Sequence, residues 1–554
     1  MPERFPQPSP GHRDWYAFEE IRALPRIILM VDKNPFSETF GCFDREYWHY
    51  RTIDFPCGMS QEFCLALASV WATDMPHNPY YRNERLYDLV VGSIEYAKKS
   101  AHADGSCDDY FPFERALGAL VFSLYAMTES YQLLGLQRPD LVEFFALRGD
   151  WLRKHNESGQ LANHQALAAL ALWNVWAITG EERFRTASNE YRDLTLSWQN
   201  EEGWFQEYEG ADPGYHSCSI DFLGKLWQKS GDASLLAPLG RAVEFAAYFM
   251  HPDGSYAGEY GSRNTYHFYP HGFELLAPHF PTAGRIAETY LHRALPERRR
   301  YYNDDNRMCA HYVYDWVQAW KDYAPTRHGL LDQHRPAFTK WFPNAKMLIK
   351  KTASYYAVVS MAKGGVIKVY DANGPIYSDT GPIAKTQSGD VLVSHMVDEN
   401  VVEVEPASGR ASTRGRMSKR KHQLASPVKQ AAFRAMNLSV GRYNPNLVRT
   451  TLQKILITGK PRTEVAFGRD IELGEREITI RDRIDASGSD VRFARLAIGS
   501  DATSIYVANS TNFQESMLLP WVDLRDQVPA LNEHRKIELP ARVVSRERCG
   551  KHLG

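Results

Sequence analysis

The sequence predicts two architectures in series: an N-terminal (α/α) toroid of five to six helical hairpins, then a C-terminal antiparallel β-sandwich. Three observations lead there. Apolar and amphipathic helical stretches alternate between residues 56 and 334. The apolar stretches start near residues 59, 115, 164, 215 and 271, at steps of roughly fifty residues, the length of one helical hairpin with its loops. After Arg335-Pro-Ala-Phe-Thr-Lys-Trp-Phe-Pro343, short Val-, Ile- and Thr-rich segments of period two take over. The chain divides on this reading into a wrapping segment (1–55), a toroid (56–334) and a sandwich (335–554). Its 554 residues exceed what one ordinary core holds.

Taken in order, residues 1–55 are rich in Pro and aromatic side chains without a sustained period, and read as a segment wrapped around the first helices. Met59 to Trp71 is apolar on most sides, as a helix buried all round should be, and Asn83 to Lys99 is its amphipathic outer partner. The pairing repeats with Glu114–Tyr125 and Pro139–Lys154, Leu161–Ile178 and Glu181–Trp198, and Tyr215–Trp227 and Ser234–Met250. His271–Pro278 and Cys309–Tyr323 read as the last inner helices. The turns Asp104-Gly-Ser106, Glu202-Gly203-Trp204 and Asp253-Gly-Ser-Tyr256 each lead from an outer helix to the next inner one, with Gly supplying positive φ. Further on, strands are expected at Tyr355–Met361, Gly365–Tyr370, Asp390–Ser394, Val401–Glu405, Gln453–Ile457 and Arg476–Arg481. Ala407 to His422, basic and poor in apolar residues, reads as an exposed loop.

Composition narrows the function classes. Hydrophobic content of 44% and charged content of 24% describe a water-soluble globular chain. A net charge of −2 gives no bulk attraction to nucleic acid or to an anionic membrane. No apolar run approaches the ~18 residues a membrane span needs. The seven cysteines are scattered, without a CxxC or a zinc-like Cys/His spacing, and read as reduced thiols. Neither a metal nor another cofactor is expected. The N-terminus lacks the apolar stretch of a secretory signal, so the chain reads as cytoplasmic, or as secreted or periplasmic if an export signal lies outside this sequence. Oligomeric state is not legible.

Three polar clusters stand at the starts of inner helices. They are Asn163-His164, Asp212-Pro-Gly-Tyr215-His216, and the run from Gly261 to Gly272. The last contains Arg263, Asn264, Tyr266, His267, Tyr269 and His271. Asn163 and Tyr215, and again Tyr215 and His267, are 52 residues apart. Equal phase aims all three at one end of a ring. Such a set suits an acid-bearing sugar: removing the C5 proton of a uronate requires donors that neutralise its carboxylate. A base must take that proton and an acid must protonate the departing C4 oxygen. A Tyr doing both needs its pKa lowered from ~10, and His216, His267 and Arg263 are candidates for that. Each residue also has a structural alternative. Asn163 could cap its helix, His164 could sit in the core, and Tyr215 could pack between repeats. Arg263 could pair with Glu259 or Glu274, and Glu114 and Arg115 could form an internal ion pair.

The order of these parts resembles the heparinase II/III-like polysaccharide lyases and their alginate-lyase relatives. The likeness rests on an Asn-His opening one inner helix, a Gly-Tyr about fifty residues later and a following β domain, and it spans residues 55–540 in layout. It implies a lyase that cleaves a uronate-containing glycan by β-elimination. On this resemblance Asn163 and His164 hold the carboxylate, Tyr215 is the acid and also the base, and His267 is an alternative base. Arg263, His216, Tyr266, His271, Asn264 and Glu259 would line the substrate. The partner implied is an acidic polysaccharide or oligosaccharide. The His/Asp metal site that some relatives carry in the β domain has no match here, since His395 stands alone. Two other readings stay open: a toroid glycoside hydrolase using carboxylates among Asp108, Asp109, Glu207, Glu209 and Asp212, and a non-catalytic glycan-binding protein.

Overall fold

The computed structural model describes residues 6–156, 159–295, 300–301, 311–420, 426–453, 461–501 and 513–545. Six inner helices form a closed ring among them. They are Cys64–Ala72, Leu117–Leu133, Ala162–Thr179, Pro213–Ser230, Pro270–Leu276 and His311–Lys321, each packed on the next and the last packed on the first. The inner helices are apolar almost throughout: Leu117–Leu133 is buried at fifteen consecutive positions, from Leu117 to Tyr131. A helix enclosed by neighbours on every side has no solvent stripe to keep polar. Outer helices Glu84–Ser100, Pro139–Lys154, Glu182–Ser197, Leu236–Ala246 and Pro281–Thr289 bury one face only. Gly272 permits one close approach within the ring, because a Cβ there would lie 2.6 Å from Asp221 Cα.

The N-terminal segment departs from the sequence expectation. Instead of only wrapping, it contains a 17-residue helix, Asp14–Met30, that packs on His311–Lys321 and supplies the outer member of the sixth pair. Tyr16 donates to Glu274 (2.9 Å), and Trp320 Nε1 donates to Asp14 (2.9 Å). Pro25 inside the helix, together with the Pro-rich residues before it, hid the periodicity. Helix Met59–Trp71 begins as a 3₁₀ turn, Met59–Phe63. The expected last inner helix begins at His311, and the part of that stretch from 309 to 310, like Cys549, lies outside the described residues. The five described cysteines are buried and unbridged.

After the 3₁₀ turn Leu331–His334 the elements are mainly strands. Five of them form an antiparallel meander: Phe338–Phe342, Met347–Lys351, Tyr356–Ser360, Val366–Asp371 and Gly374–Asp379. The second sheet has ten strands, with Gly381–Thr386, Arg410–Lys419, Arg462–Leu473 and Glu477–Asp485 along its path. The meander is covered on both faces. Met347, Ile349, Tyr356, Val358, Val366 and Tyr370 join the core of the helical ring. Leu348, Ala357, Val359, Ile367 and Val369 instead meet Ile471, Leu473, Ile478 and Ile480 of the larger sheet. Double burial explains why these strands read as continuous apolar runs rather than strict alternation. Arg469 pins the two sheets, donating to Asp482 and Asp379 (both 2.7 Å) and to Gly365 O (3.0 Å).

Two expectations for this half need correction or placement. Ala407–His422 is not a loop: Arg410–Lys419 is a ten-residue strand inside the large sheet, paired with Val401–Glu405 and with Arg462–Leu473. Ala411, Thr413 and Met417 face inward while Arg410, Arg414 and Arg416 face solvent. The arginines on the open face masked the period. The expected strand Gln453–Ile457 falls mostly outside the described residues, and Gln453 itself ends a helix, Pro445–Gln453. No helix among the described residues is long and apolar enough to cross a membrane.

Candidate active site

The N-termini of the inner helices share one end of the ring, and the polar clusters collect there. Asp212 caps helix Pro213–Ser230 by accepting from Tyr215 N (3.0 Å), and Pro213 occupies the first helical position. The other oxygen of Asp212 accepts from Arg263 N at 2.9 Å, and the Thr265 hydroxyl donates to the same carboxylate. One carboxylate thereby ties the second polar cluster to the third. Its acceptors are spent on this structural task.

Glu207 links the first cluster to the third. It sits on a short strand pair, Gln206–Glu207 with Gly210–Ala211. Its carboxylate accepts from Asn163 N (2.9 Å), Asn163 Nδ2 (2.8 Å) and Arg263 Nη1 (3.2 Å). Glu207 therefore caps helix Ala162–Thr179 from outside, a place suited to negative charge, and orients the Asn163 amide. Asn163 Oδ1 has no hydrogen-bond partner among the described residues. Burial pushes the Glu207 carboxyl above its ordinary range, with Arg263 and Asn163 opposing.

Arg263 also stacks over Tyr215, 4.0 Å from the ring centre, and over Tyr208 at 4.9 Å. His267 meets the Tyr215 ring edge-on at 4.9 Å. Asn163, Glu207, Arg263, Tyr215 and His267 thus form one continuous cluster. His164 stands beside it, half-buried, with its ring against Phe122 (5.9 Å) and over Gly118, where a Cβ would approach within 3.0 Å. The expectation that neighbouring cations lower the Tyr215 pKa is not met in this state. Burial raises it above that of free tyrosine, with Arg263 pulling down and Glu207 pushing up.

The remaining expected site residues lie elsewhere. His216, adjacent in sequence, faces away from the cluster. It is packed between Phe205 and Phe245, donates Nε2–H to Ala242 O (2.9 Å), and is held neutral by burial, its pKa brought down to about 4. His271 joins a separate ionic group, bonding Asp322 at 2.8 Å and lying 3.4 Å from Asp221. Asp221, His271 and Asp315 have ligand atoms within 4.8 Å of one another. Lys225 Nζ bonds both aspartates, at 2.5 and 3.2 Å, so an ammonium already fills the place of a cation. Burial and the charge of Asp221 push Asp315 up to about 7. Glu259 pairs with Lys368 of the strand-rich half, Tyr266 lies next to Glu259, and Asn264 accepts from Lys363. These three join the helices to the meander. Arg263 pairs with neither Glu259 nor Glu274; Glu274 takes Arg327 at 3.1 Å. Glu114 accepts from Asp109 N and Tyr110 N, whereas Arg115 pairs with Asp104.

Sequence reasoning missed Glu62 and His311. His311 Nδ1 bonds the Glu62 carboxylate at 2.6 Å, and Tyr314 donates to the same group at 2.6 Å. A carboxylate acceptor fixes the imidazole with its proton on Nδ1. Nε2 is left without a partner among the described residues. The His311 ring lies tilted against Phe122 at 4.5 Å, on the same aromatic wall that His164 touches. The one signal was that Glu62 is the only charged residue in an otherwise apolar inner helix.

No family model matches the chain, and no curated protein matches its sequence. The solved structures do match in fold. Chondroitin AC lyase of Streptomyces coelicolor A3, in complex with chondroitin sulphate, aligns over 90% of this chain and 68% of its own, at 9% identity and a TM-score of 0.55. Heparinase III aligns over 79% and 64%, at 10% identity and a TM-score of 0.48. An unsaturated glucuronyl hydrolase from Streptococcus agalactiae covers 57% of this chain and 97% of its own, at 10% identity and a TM-score of 0.37. This chain, a helical toroid followed by antiparallel sheets, has the fold of that chondroitin AC lyase.

Proposed function

We propose that the protein is a polysaccharide lyase that cleaves a uronate-containing glycan by β-elimination. The observation that carries this reading is the continuous, buried cluster of Asn163, Glu207, Arg263, Tyr215 and His267, beside the half-buried His164. Asn163 Nδ2–H and His164 meet the uronate carboxylate and draw charge from C5. The C5 proton passes to an imidazole, the freed electron pair forms the C4–C5 double bond, and the C4–O bond breaks. The departing oxygen takes its proton from the Tyr215 phenol. A phenol kept protonated by burial suits the acid role, which leaves the base role to His267. The N-termini of helices Ala162–Thr179 and Pro213–Ser230 add partial positive charge beside the cluster.

The hydrolase alternative needs two available carboxylic groups. Asp212 has both oxygens engaged in the loop it holds. Asp108 accepts from Phe113 N and Arg115 N and bonds His102. These assignments favour elimination. The test is an absorbance screen of purified protein against glycosaminoglycans, alginate and bacterial capsular polymers. Elimination creates a 4,5-unsaturated uronide that absorbs in the near ultraviolet. Reducing ends released without that absorbance would refute the proposal.

A further inference from the structure

Between the strands Arg410–Lys419 and Arg462–Leu473 the chain leaves the sheet as two helices, Pro427–Met436 and Pro445–Gln453. This excursion reaches back to the helical ring. Phe433 meets Phe111 edge-on at 5.6 Å, Arg434 pairs with Asp54, and Arg442 lies over Phe113 at 5.3 Å. A cavity of about 410 Å³ opens between excursion and ring, lined by Arg115, Trp151, His155 and Asn156 on one side and by residues 442–446 on the other.

Among the described residues its chemistry has one sign: the lining carries two guanidinium groups, an imidazole and several amides, and no carboxylate. Arg115 is shared with Asp104, while no carboxylate of the described residues pairs with Arg442. Trp151 is 5% exposed and its Nε1–H has no acceptor among the described residues. A buried indole donor without a partner points to a ligand acceptor. His155 stacks on Trp151 at 4.1 Å, and the Tyr443 ring is 84% exposed. The loop that carries Arg115 is built for position. Phe113 and Arg115 both take left-handed backbone, φ 60° and 51°, and Asp108 holds the two N–H groups. Such backbone costs of order 1 kcal/mol per residue, and it collects where a side chain must be aimed. The cavity's lining also meets the helix that carries Asn163 and His164: Asn156 accepts from Gln165 Nε2 at 3.1 Å.

We propose that this groove is a second binding site for an anionic sugar residue, further along the same glycan chain that Tyr215 engages. The inference rests on the lyase reading and extends it. The guanidinium groups take a carboxylate or sulphate, the Trp151 indole donates to a ring or hydroxyl oxygen, and Tyr443 offers a face to the sugar ring. The groove then selects for chain length and for charge beyond the cleaved linkage.

The test uses the full-length protein and size-defined oligosaccharides of chondroitin sulphate and of unsulphated hyaluronan, short and long. Binding is read by tryptophan fluorescence and elimination by near-ultraviolet absorbance. Arg442→Ala should lower the ratio of long-chain to short-chain affinity about tenfold, as losing one charge-assisted contact does. Tyr443→Ala should lower it too, and Tyr443→Phe, which keeps the ring, should not. A larger effect on the sulphated series identifies sulphate as the group held; equal effects identify the carboxylate. Unchanged ratios in Arg442→Ala and Tyr443→Ala, in a protein that eliminates normally, overturn the groove and leave the lyase reading intact. Length-dependent binding that these variants abolish, without any unsaturated product, overturns the lyase reading and leaves the groove. Failure of the wild-type protein to bind any of these chains overturns the groove as well.

Discussion

Tyr215 feels two opposed influences, burial that keeps its proton on and the Arg263 guanidinium 4.0 Å from its ring that helps the proton leave. Burial wins in the free protein. Replacing the phenol by Phe should therefore leave the thermal unfolding temperature near that of the wild type and lower kcat by about 10²-fold or more. Activity assays beside calorimetry check both parts. Glu207 acts differently. Glu207→Ala would strand Arg263 in the interior and release the Asn163 amide, so a loss of about 3–5 kcal/mol is expected from denaturant unfolding. Glu20 supplies a pH test. Its carboxyl is fully buried with neither oxygen bonded among the described residues, and burial raises its pKa well above that of free glutamate. The folded state then binds more protons than the unfolded state once the pH exceeds the unfolded pKa, so stability contributed by this group falls as pH rises. Glu20→Gln should remove that slope, and its melting temperature should gain on the wild type as the pH rises above the ordinary carboxylate range. Asn163, Tyr215 and His267 were legible because equal spacing carried them to one end of the ring. Glu207 and Arg263 were visible singly, but their pairing spans 56 residues and depends on loop geometry that spacing does not encode. His216 was misplaced because neighbours on a helix point about 100° apart, which turned it toward Phe205 and Phe245.

Among the elements, repeated inner and outer helices were readable because burial all round and burial on one face leave different patterns. Helix Asp14–Met30 was not, since its proline and its aromatic neighbours obscure the period. Its weight lies in contacts the sequence does not reveal, with Trp15, Tyr16, Leu24 and Ile27 all buried. Trp15→Ala should cost about 3–5 kcal/mol, measured by chemical unfolding; a loss near zero would mean that the helix does not hold the ring closed. Strand Arg410–Lys419 was hidden for the opposite reason, because Arg410, Arg414 and Arg416 crowd its solvent face. Its burial follows from neighbours on both edges, which only the assembled sheet supplies. In the same sheet, Arg469→Ala would leave Asp379 and Asp482 facing one another beside Arg542 alone. A loss of about 3–5 kcal/mol is expected, whereas the exposed pair Arg416–Glu464 should contribute little.

At the scale of the whole molecule, three arrangements turn a run of hairpins into a candidate enzyme. The ring closes when its first helix packs on its last inner one, which brings Glu62 to His311 and sets both on the aromatic wall beside His164. The five-stranded meander is shared between the ring and the larger sheet, so the helical and strand-rich halves have a common core. The buried lysines Lys363 and Lys368 then fasten the loop 259–264, which carries Arg263, to the meander. Cleavage of a reactive acidic glycan in water enriched in heavy oxygen, with mass analysis of the products, tests the central claim most directly. Elimination predicts an unsaturated uronide end, no heavy oxygen at the new reducing end, and near-complete loss of product in Tyr215→Phe. Heavy oxygen at the new reducing end, or a Tyr215→Phe variant as active as the wild type, would contradict it.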